Sequence, residues 1–317
     1  MADQKRKIIF SLPAKTFLVG EYAVADGGAA VVLATEPRFK ISLAAKNLSR
    51  EARWQGFGEA GPGYKYLLAN RALFREFDVE FMRPPGVVGG IGASSAEYAG
   101  VYLLRKWLLS ADRDPKVTWD VQNLLEEYRA KAWSGKGMPP SGADVVGQIV
   151  GGMSYVHPAG GGVRELNWSF ADLGFLLLAT GYKLATHEHL EAIFELDLQD
   201  MKDCVDLVAG ALTKSDSNSL VMGINDYAEM LRFRNLVARP TLDLISEAFH
   251  WPGVCAAKGC GALGADVLLV VYERRYQAEL VESIQKAEKL ILASDQELSD
   301  GWRREGSLPL EEEIQTL

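Results

Sequence analysis

The chain has 317 residues, a formal net charge of −8 and a pI near 5.2, with 48% apolar and 24% charged residues. That acidic balance offers no general field for nucleic acid or an anionic membrane, so a basic residue that matters must act locally on a phosphate or a carboxylate. The length suits two lobes or one large α/β unit with enough apolar material for a sizeable core.

The three cysteines, Cys204, Cys255 and Cys260, are odd in number and form no CxxC pair. Free thiols in a reducing, cytoplasmic compartment are expected rather than a disulfide framework. Lys5, Arg6 and Lys7 precede an apolar run that is too short for a leader peptide, and no stretch is long enough to span a bilayer.

In chain order, residues 8–12 and 29–34 are short apolar runs that read as strands. Residues 38–43 alternate, with Phe39, Ile41 and Leu43 on one side, the period of a half-buried strand. Glycine and proline punctuate 56–63, after which 64–77 spaces Leu67, Leu68, Ala72, Leu73 and Phe77 as a helix would. Turn residues fill 83–92. Helices are predicted over 95–109 and 119–133, with a helical turn at 145–150 and a strand at 153–157. The dense apolar run at 173–180 reads as a buried strand. Residues 188–250 are mainly helical, 253–257 and 265–272 are strands around a glycine cluster, and 275–293 is an amphipathic helix. The acidic stretch 306–317 is expected to be loosely held. A strand-rich first half and a helix-rich second half predict an α+β fold of two lobes, 1–170 and 171–317.

Three glycine-bearing segments are hard to explain by packing alone. In the first, Pro13-Ala14-Lys15-Thr16-Phe17-Leu18-Val19-Gly20-Glu21-Tyr22, Lys15 sits among apolar neighbours. It is either a strand-end lysine reaching for water or an ammonium paired with a carboxylate and facing a phosphoryl group. The second, Gly89-Gly90-Ile91-Gly92-Ala93-Ser94-Ser95-Ala96-Glu97, runs straight into a predicted helix. Small residues there allow close backbone approach, and the helix N-terminus favours an anion. An ordinary turn with a serine cap is the plainer alternative. The segment is not a Walker A motif, and no clear strand precedes it as a dinucleotide fingerprint requires. The third, Lys258-Gly259-Cys260-Gly261-Ala262-Leu263-Gly264-Ala265-Asp266, is longer than a hairpin needs. Between them lies Pro140-Ser141-Gly142-Ala143-Asp144, where Asp144 is either a first-turn helix acid or a carboxylate held against Lys15 that orients a substrate hydroxyl.

Taken in this order, the segments resemble the GHMP kinase superfamily of galactokinase, homoserine kinase, mevalonate kinase and phosphomevalonate kinase. The resemblance runs from Pro13 to Asp266. It implies a two-lobed fold, with an N-terminal lobe of ribosomal protein S5 domain 2-like type and a C-terminal α/β sandwich lobe. It further implies ATP and Mg2+, phosphoryl transfer to mevalonate or 5-phosphomevalonate, and action as a monomer or homodimer.

Lys15 and Asp144 would be catalytic. Gly89, Gly90, Gly92, Ala93, Ser94, Ser95 and Ala96 would hold the nucleotide. Glu21, Tyr22, Ser141, Gly142, Gly261 and Ala262, with Lys183 reaching an anionic group, would form the substrate wall. Gly20-Glu21-Tyr22 is similar to phosphomevalonate kinases, and the Pro-Ser-Gly-Ala-Asp string is similar to mevalonate kinases. The phosphate loop carries Gly-Ala-Ser-Ser where the family has Gly-Ser-Ser, and Trp133 stands near the position of the magnesium-binding Glu. The metal set then becomes Ser94, Ser95 and Glu97. The rivals are a diphosphomevalonate decarboxylase-like enzyme and a non-catalytic ligand-binding scaffold. His187 and His189 are two residues apart and do not share a helix face, so a helix start there is the expectation rather than a metal site.

Overall fold

The computed structural model describes residues 7–47, 49–86, 89–110, 120–160, 162–181 and 197–307. Strand β1 (Lys7–Val19) is buried almost throughout, as expected of a strand covered on both faces. It pairs antiparallel with β2 (Ala30–Ala45), from Lys7 opposite Ala44 to Val19 opposite Val31. The two strands predicted at 29–34 and 38–43 are thus one. Pro37, which has no N–H to give the ladder, is absorbed where the register slips between Pro13 opposite Arg38 and Ala14 opposite Thr35.

After β3 (Trp54–Gln55), the helix predicted over 64–77 divides. α1 (Pro62–Ala69) ends at Asn70, whose side-chain amide donates to the Tyr66 carbonyl, and α2 (Arg71–Phe74) adds one turn. Residues beyond it form β4 (Phe77–Met82), with Phe77, Val79 and Phe81 turned inward. The period there is two, and pairing with β2 outweighs the helical spacing read upstream.

Helix α3 (Ala93–Leu109) follows the second glycine segment, and α4 (Val121–Ala132) is capped by Asp120, whose carboxylate accepts the Asn123 N–H. Next come α5 (Ala143–Val150), β5 (Met153–His157) and β6 (Gly162–Leu166). The polar, largely exposed residues of β6 gave no strand signal in the sequence.

The second sheet begins with β7 (Leu173–Ala179). Helices α6 (Gln199–Lys214), α7 (Ser217–Phe233) and α8 (Arg239–Ala248) then lead to β8 (Val254–Cys260) and β9 (Val267–Glu273). The closing helix predicted over 275–293 stops early. α9 (Gln277–Lys286) ends just before Glu288, which has φ +55°, and the chain resumes as β10 (Ile291–Ser294). Gly306, expected to be loosely held, lies within β11 (Arg303–Ser307).

One sheet has the order β11-β1-β2-β4-β3, with β5 on the other end of β2 and β6 beyond it; the other has the order β10-β7-β9-β8. The architecture is α+β. α3 and α5 pack side by side against β1 and β2. A single core runs through both layers and includes Phe10, Ile41, Tyr98, Trp107, Phe175, Val205 and Tyr227. Each such side chain contributes roughly 1.5–3 kcal/mol by burial. A smaller cluster around Leu178, Leu244, Trp251 and Leu280 covers the outer face of the second sheet.

Arg38, 7% exposed, fastens the far end of the chain to this framework. Its guanidinium donates to the Ser11 hydroxyl (3.0 Å) and carbonyl (3.0 Å), the Ser299 hydroxyl (2.6 Å), and the carbonyls of Asp300 (2.8 Å) and Gly301 (2.6 Å). No helix among the described residues is long and apolar enough to cross a membrane.

Candidate active site

The ends of β1, the N-termini of α3 and α5, and the turn between β8 and β9 meet around a cleft of about 510 Å3. Gly89 (φ +103°), Gly90 (φ +79°) and Gly92 (φ +91°) lead into α3, with Gly92 as its left-handed cap. Ala93, Ser94 and Ser95 follow on the cleft wall, so the first-turn N–H groups of a 17-residue helix, the end whose dipole favours an anion, lie at the cleft. Ser95 is buried and its hydroxyl donates to the Gly92 carbonyl at 3.0 Å, whereas Ser94 is exposed on the cleft. Of the two serines, Ser94 is the one whose side chain is open to the cleft. Ala96, also expected in the loop, is buried in the core.

Lys15 reaches the same cleft from β1. Its N–H donates to the Ile91 carbonyl at 2.9 Å, tying strand to loop, and its ammonium lies 4.6 Å from the centre of the Phe17 ring. A methyl group on Gly92 would stand 2.6 Å from Lys15 Cγ and 3.0 Å from Gln148 Nε2. Gly92→Ala is therefore expected to displace Lys15 and to destabilise the fold by about 1–2 kcal/mol through its positive φ. Thermal melting checks this, and an unchanged melting temperature would contradict it.

Asp144, in the first turn of α5, lines the cleft, and its Oδ1 accepts the Val145 N–H at 3.0 Å. Lys15 and Asp144 share the cavity. Among the described residues, however, neither makes an ion pair within 4.0 Å, so the expected direct pairing is absent. Ser141 and Gly142 lie off the cleft wall and form the cap of α5. The Ser141 hydroxyl accepts the Ala143 N–H at 3.3 Å, and Gly142 packs on Leu125 and Tyr128. Lys183, His187 and His189 lie outside the described residues.

Glu21 and Tyr22 line the cleft beside the third glycine segment. Glu21 is paired with Lys258, whose side chain is 0% exposed and also donates to the Gly259 carbonyl at 3.0 Å. Burial opposes the charge on Lys258; the Cys260 sulfur and the Glu21 carboxylate outweigh it and hold the ammonium above the usual lysine range. The second Glu21 oxygen, Oε2, is buried and finds no hydrogen-bond partner among the described residues. The Tyr22 hydroxyl accepts the Leu263 N–H at 3.0 Å, and burial pushes its pKa up to about 12.

Gly261 and Ala262 complete this wall together with Asp266, which sequence reading did not single out. A Cβ on Gly90 would lie 2.2 Å from Asp266 Cβ, and one on Gly261 would lie 2.5 Å from its Oδ2. The second and third glycine segments thus close on either side of this carboxylate because neither Gly90 nor Gly261 presents a side chain.

Glu97 lines the cleft but is otherwise engaged. Its carboxylate pairs with Arg83 at 3.0 Å and accepts the Gly58 N–H at 3.3 Å. Burial holds it above the usual glutamate range, with Arg83 and Gly58 partly offsetting. Among the described residues, no group of three or more His, Cys, Asp or Glu could hold a metal ion. The donors present are a serine hydroxyl and scattered carboxylates. They fit a hard cation that arrives on phosphate oxygens and keeps water ligands, rather than a resident cage.

Arg83, Lys258, Asp266 and Gln148 are the site residues the motifs did not flag. Lys258 and Asp266 bound the third glycine segment and could have been read from it. Arg83 and Gln148 carry no local signal.

No protein-family profile matches the chain, and no curated protein sequence matches it. Solved structures do. Lactococcus lactis galactokinase complexed with galactose superposes with a TM-score of 0.73 at 11% identity, covering 96% of each chain. Streptococcus pneumoniae phosphomevalonate kinase in complex with phosphomevalonate and AMPPNP gives 0.69 at 15% identity, covering 90% of this chain and 98% of the other. Methanococcus jannaschii mevalonate kinase gives 0.66 at 16% identity, covering 92% and 98%. At these identities the likeness shows a shared fold, the two-lobed architecture of these small-molecule kinases.

Proposed function

We propose that the protein is an ATP-dependent small-molecule kinase that phosphorylates a mevalonate-series acceptor, the hydroxyl of mevalonate or the phosphate of 5-phosphomevalonate. One observation carries the reading. A glycine loop capping a long helix, a strand lysine and a helix-start aspartate all open onto one cleft. Phosphoryl transfer asks for that combination, because its barrier falls mainly through positioning and charge neutralisation.

On this reading the N–H groups from Gly90 to Ser95 hold the nucleotide phosphates, with the Ser94 hydroxyl beside them. The Lys15 ammonium faces the transferring group and balances charge on its oxygens. Asp144 orients the acceptor oxygen and takes its proton when that oxygen is a hydroxyl. Glu21 Oε2, buried and unpartnered on the cleft, accepts a hydrogen bond from the acceptor. Mg2+, when bound with ATP, would neutralise charge on the phosphates, with Ser94 the nearest fitting protein ligand. The free thiols of Cys204, Cys255 and Cys260 agree with a reducing, cytoplasmic setting.

The test is ADP release with Mg-ATP against mevalonate, 5-phosphomevalonate, 5-diphosphomevalonate, homoserine and galactose, with product masses determined. A gain of one phosphoryl group on mevalonate or 5-phosphomevalonate is expected, and transfer to homoserine or galactose instead would overturn the choice of acceptor. Loss of carbon dioxide, or no turnover with any of them, would overturn the reading. Glu97→Gln is expected to leave the Mg2+ concentration for half-maximal rate within about twofold, because that carboxylate is already committed to Arg83 and Gly58. A tenfold rise would return Glu97 to the metal set.

A further inference from the structure

Gln148 is fully buried on α5, one helical turn beyond Asp144 and on the same face. Its Nε2 donates to the carbonyl of Pro13 at 2.8 Å and to that of Gly92 at 3.2 Å. Two carbonyl acceptors fix the orientation of the amide, since a flipped side chain would set oxygen against oxygen. Among the described residues its Oε1 is then buried with no hydrogen-bond partner, a destabilising arrangement that the donor side of the amide explains.

The two acceptors are not arbitrary. Pro13 lies two residues before Lys15 on β1, and Gly92 is the cap of α3, whose carbonyl also receives the Ser95 hydroxyl and the Ala96 N–H. Gly92 is wedged between the Lys15 side chain and this amide, so a methyl group there would strike both. One side chain therefore touches the strand that carries the lysine and the loop that would cradle phosphate, from the helix that carries the aspartate.

We infer that Gln148 is a positioning residue that fixes the phosphate loop and Lys15 against Asp144. The catalytic consequence rests on the kinase reading; the tether itself does not. Gln148 touches no ligand. It acts through Gly92 and Pro13, and a small displacement of groups that must meet within hydrogen-bond distance lowers rate steeply.

The test is Gln148→Met, which keeps the volume and removes the donor, read in two ways. Amide hydrogen exchange should quicken at least tenfold at Lys15, whose N–H is bonded to Ile91, and at Ala96, whose N–H is bonded to Gly92. The amides of β9 should stay unchanged. In parallel, kcat should fall about 100-fold, with KM for ATP held within threefold. Gln148→Asn, which keeps the amide on a shorter arm, should fall between the two and takes over the test if the Met variant does not fold. Unchanged exchange at Lys15 and Ala96, or a kcat within twofold of the parent, overturns the inference. An unmodified protein without turnover would sink the kinase reading instead, and the exchange measurement would still decide whether the tether exists.

Discussion

Asp144→Asn is expected to lower kcat by about 10²–10⁴-fold, the range a positioned acid–base group supplies. The substitution is nearly isosteric, and among the described residues the hydrogen bond Asp144 makes is the local one from the Val145 N–H. The fold should therefore lose no more than the ~0.3–1 kcal/mol that a first-turn carboxylate gains from its helix. KM for ATP should barely move, since the phosphate loop lies on a different helix. The size of the loss also reports on the acceptor: a hydroxyl must lose a proton and sits at the upper end, whereas an ionised phosphate sits at the lower. A steady-state comparison with unchanged melting would carry the assignment, and turnover within threefold of the parent would remove Asp144 from the machinery.

Lys258→Met is expected to have the largest effect on stability. It leaves the Glu21 carboxylate, 6% exposed, without its partner, and unpairing a buried ion pair in this way costs about 3–5 kcal/mol. For a chain of this size the melting temperature should drop on the order of 10 °C. Adding Glu21→Leu should recover more than half of the loss, because an apolar pair of similar volume leaves no charge stranded. A loss below about 1 kcal/mol from the single change would mean that water in the cleft already serves the carboxylate. The pH dependence has a definite sign. The folded protein holds Lys258 above the usual lysine value of 10.5, so the pair's contribution is complete below that pH and fades as pH rises through the folded value. In Glu21→Leu, where the carboxylate no longer raises Lys258 and burial still lowers it, this alkaline loss of stability should shrink.

Much of the fold was legible because the signals were local. The helix predicted over 95–109 and the dense apolar run at 173–180 were local signals, and a helix and a strand stand there. The errors fell where pairing decides. Phe77 fits a helical stripe from 64 onward, yet it opens a strand because β2 offers a partner for Phe77, Val79 and Phe81. Ile291–Ser294 looked like the tail of a helix until Glu288 broke it and β7 took up the edge.

The site divided the same way. Glycine loops announce themselves because only glycine tolerates their backbone, as at Gly92. Ser141 and Gly142, read from the same string as Asp144, cap the helix that presents it. Arg83 and Gln148 matter through neighbours 14 and 56 or more positions away, and no window along the chain contains those distances.

The Arg38 clamp also sets an order of events during synthesis. Its furthest acceptor, the Gly301 carbonyl, is 263 residues downstream. At ~5–20 residues per second a ribosome takes roughly 13–53 s to cover that interval. For all of it, β1 lacks β11 on one edge and the guanidinium lacks three of its five acceptors. Helices α3 and α5, which begin just after Gly92 and Gly142, emerge well before the sheet edge beneath them can be sealed. The nascent chain thus offers an open strand edge to chaperones, or to a second nascent chain, until β11 arrives.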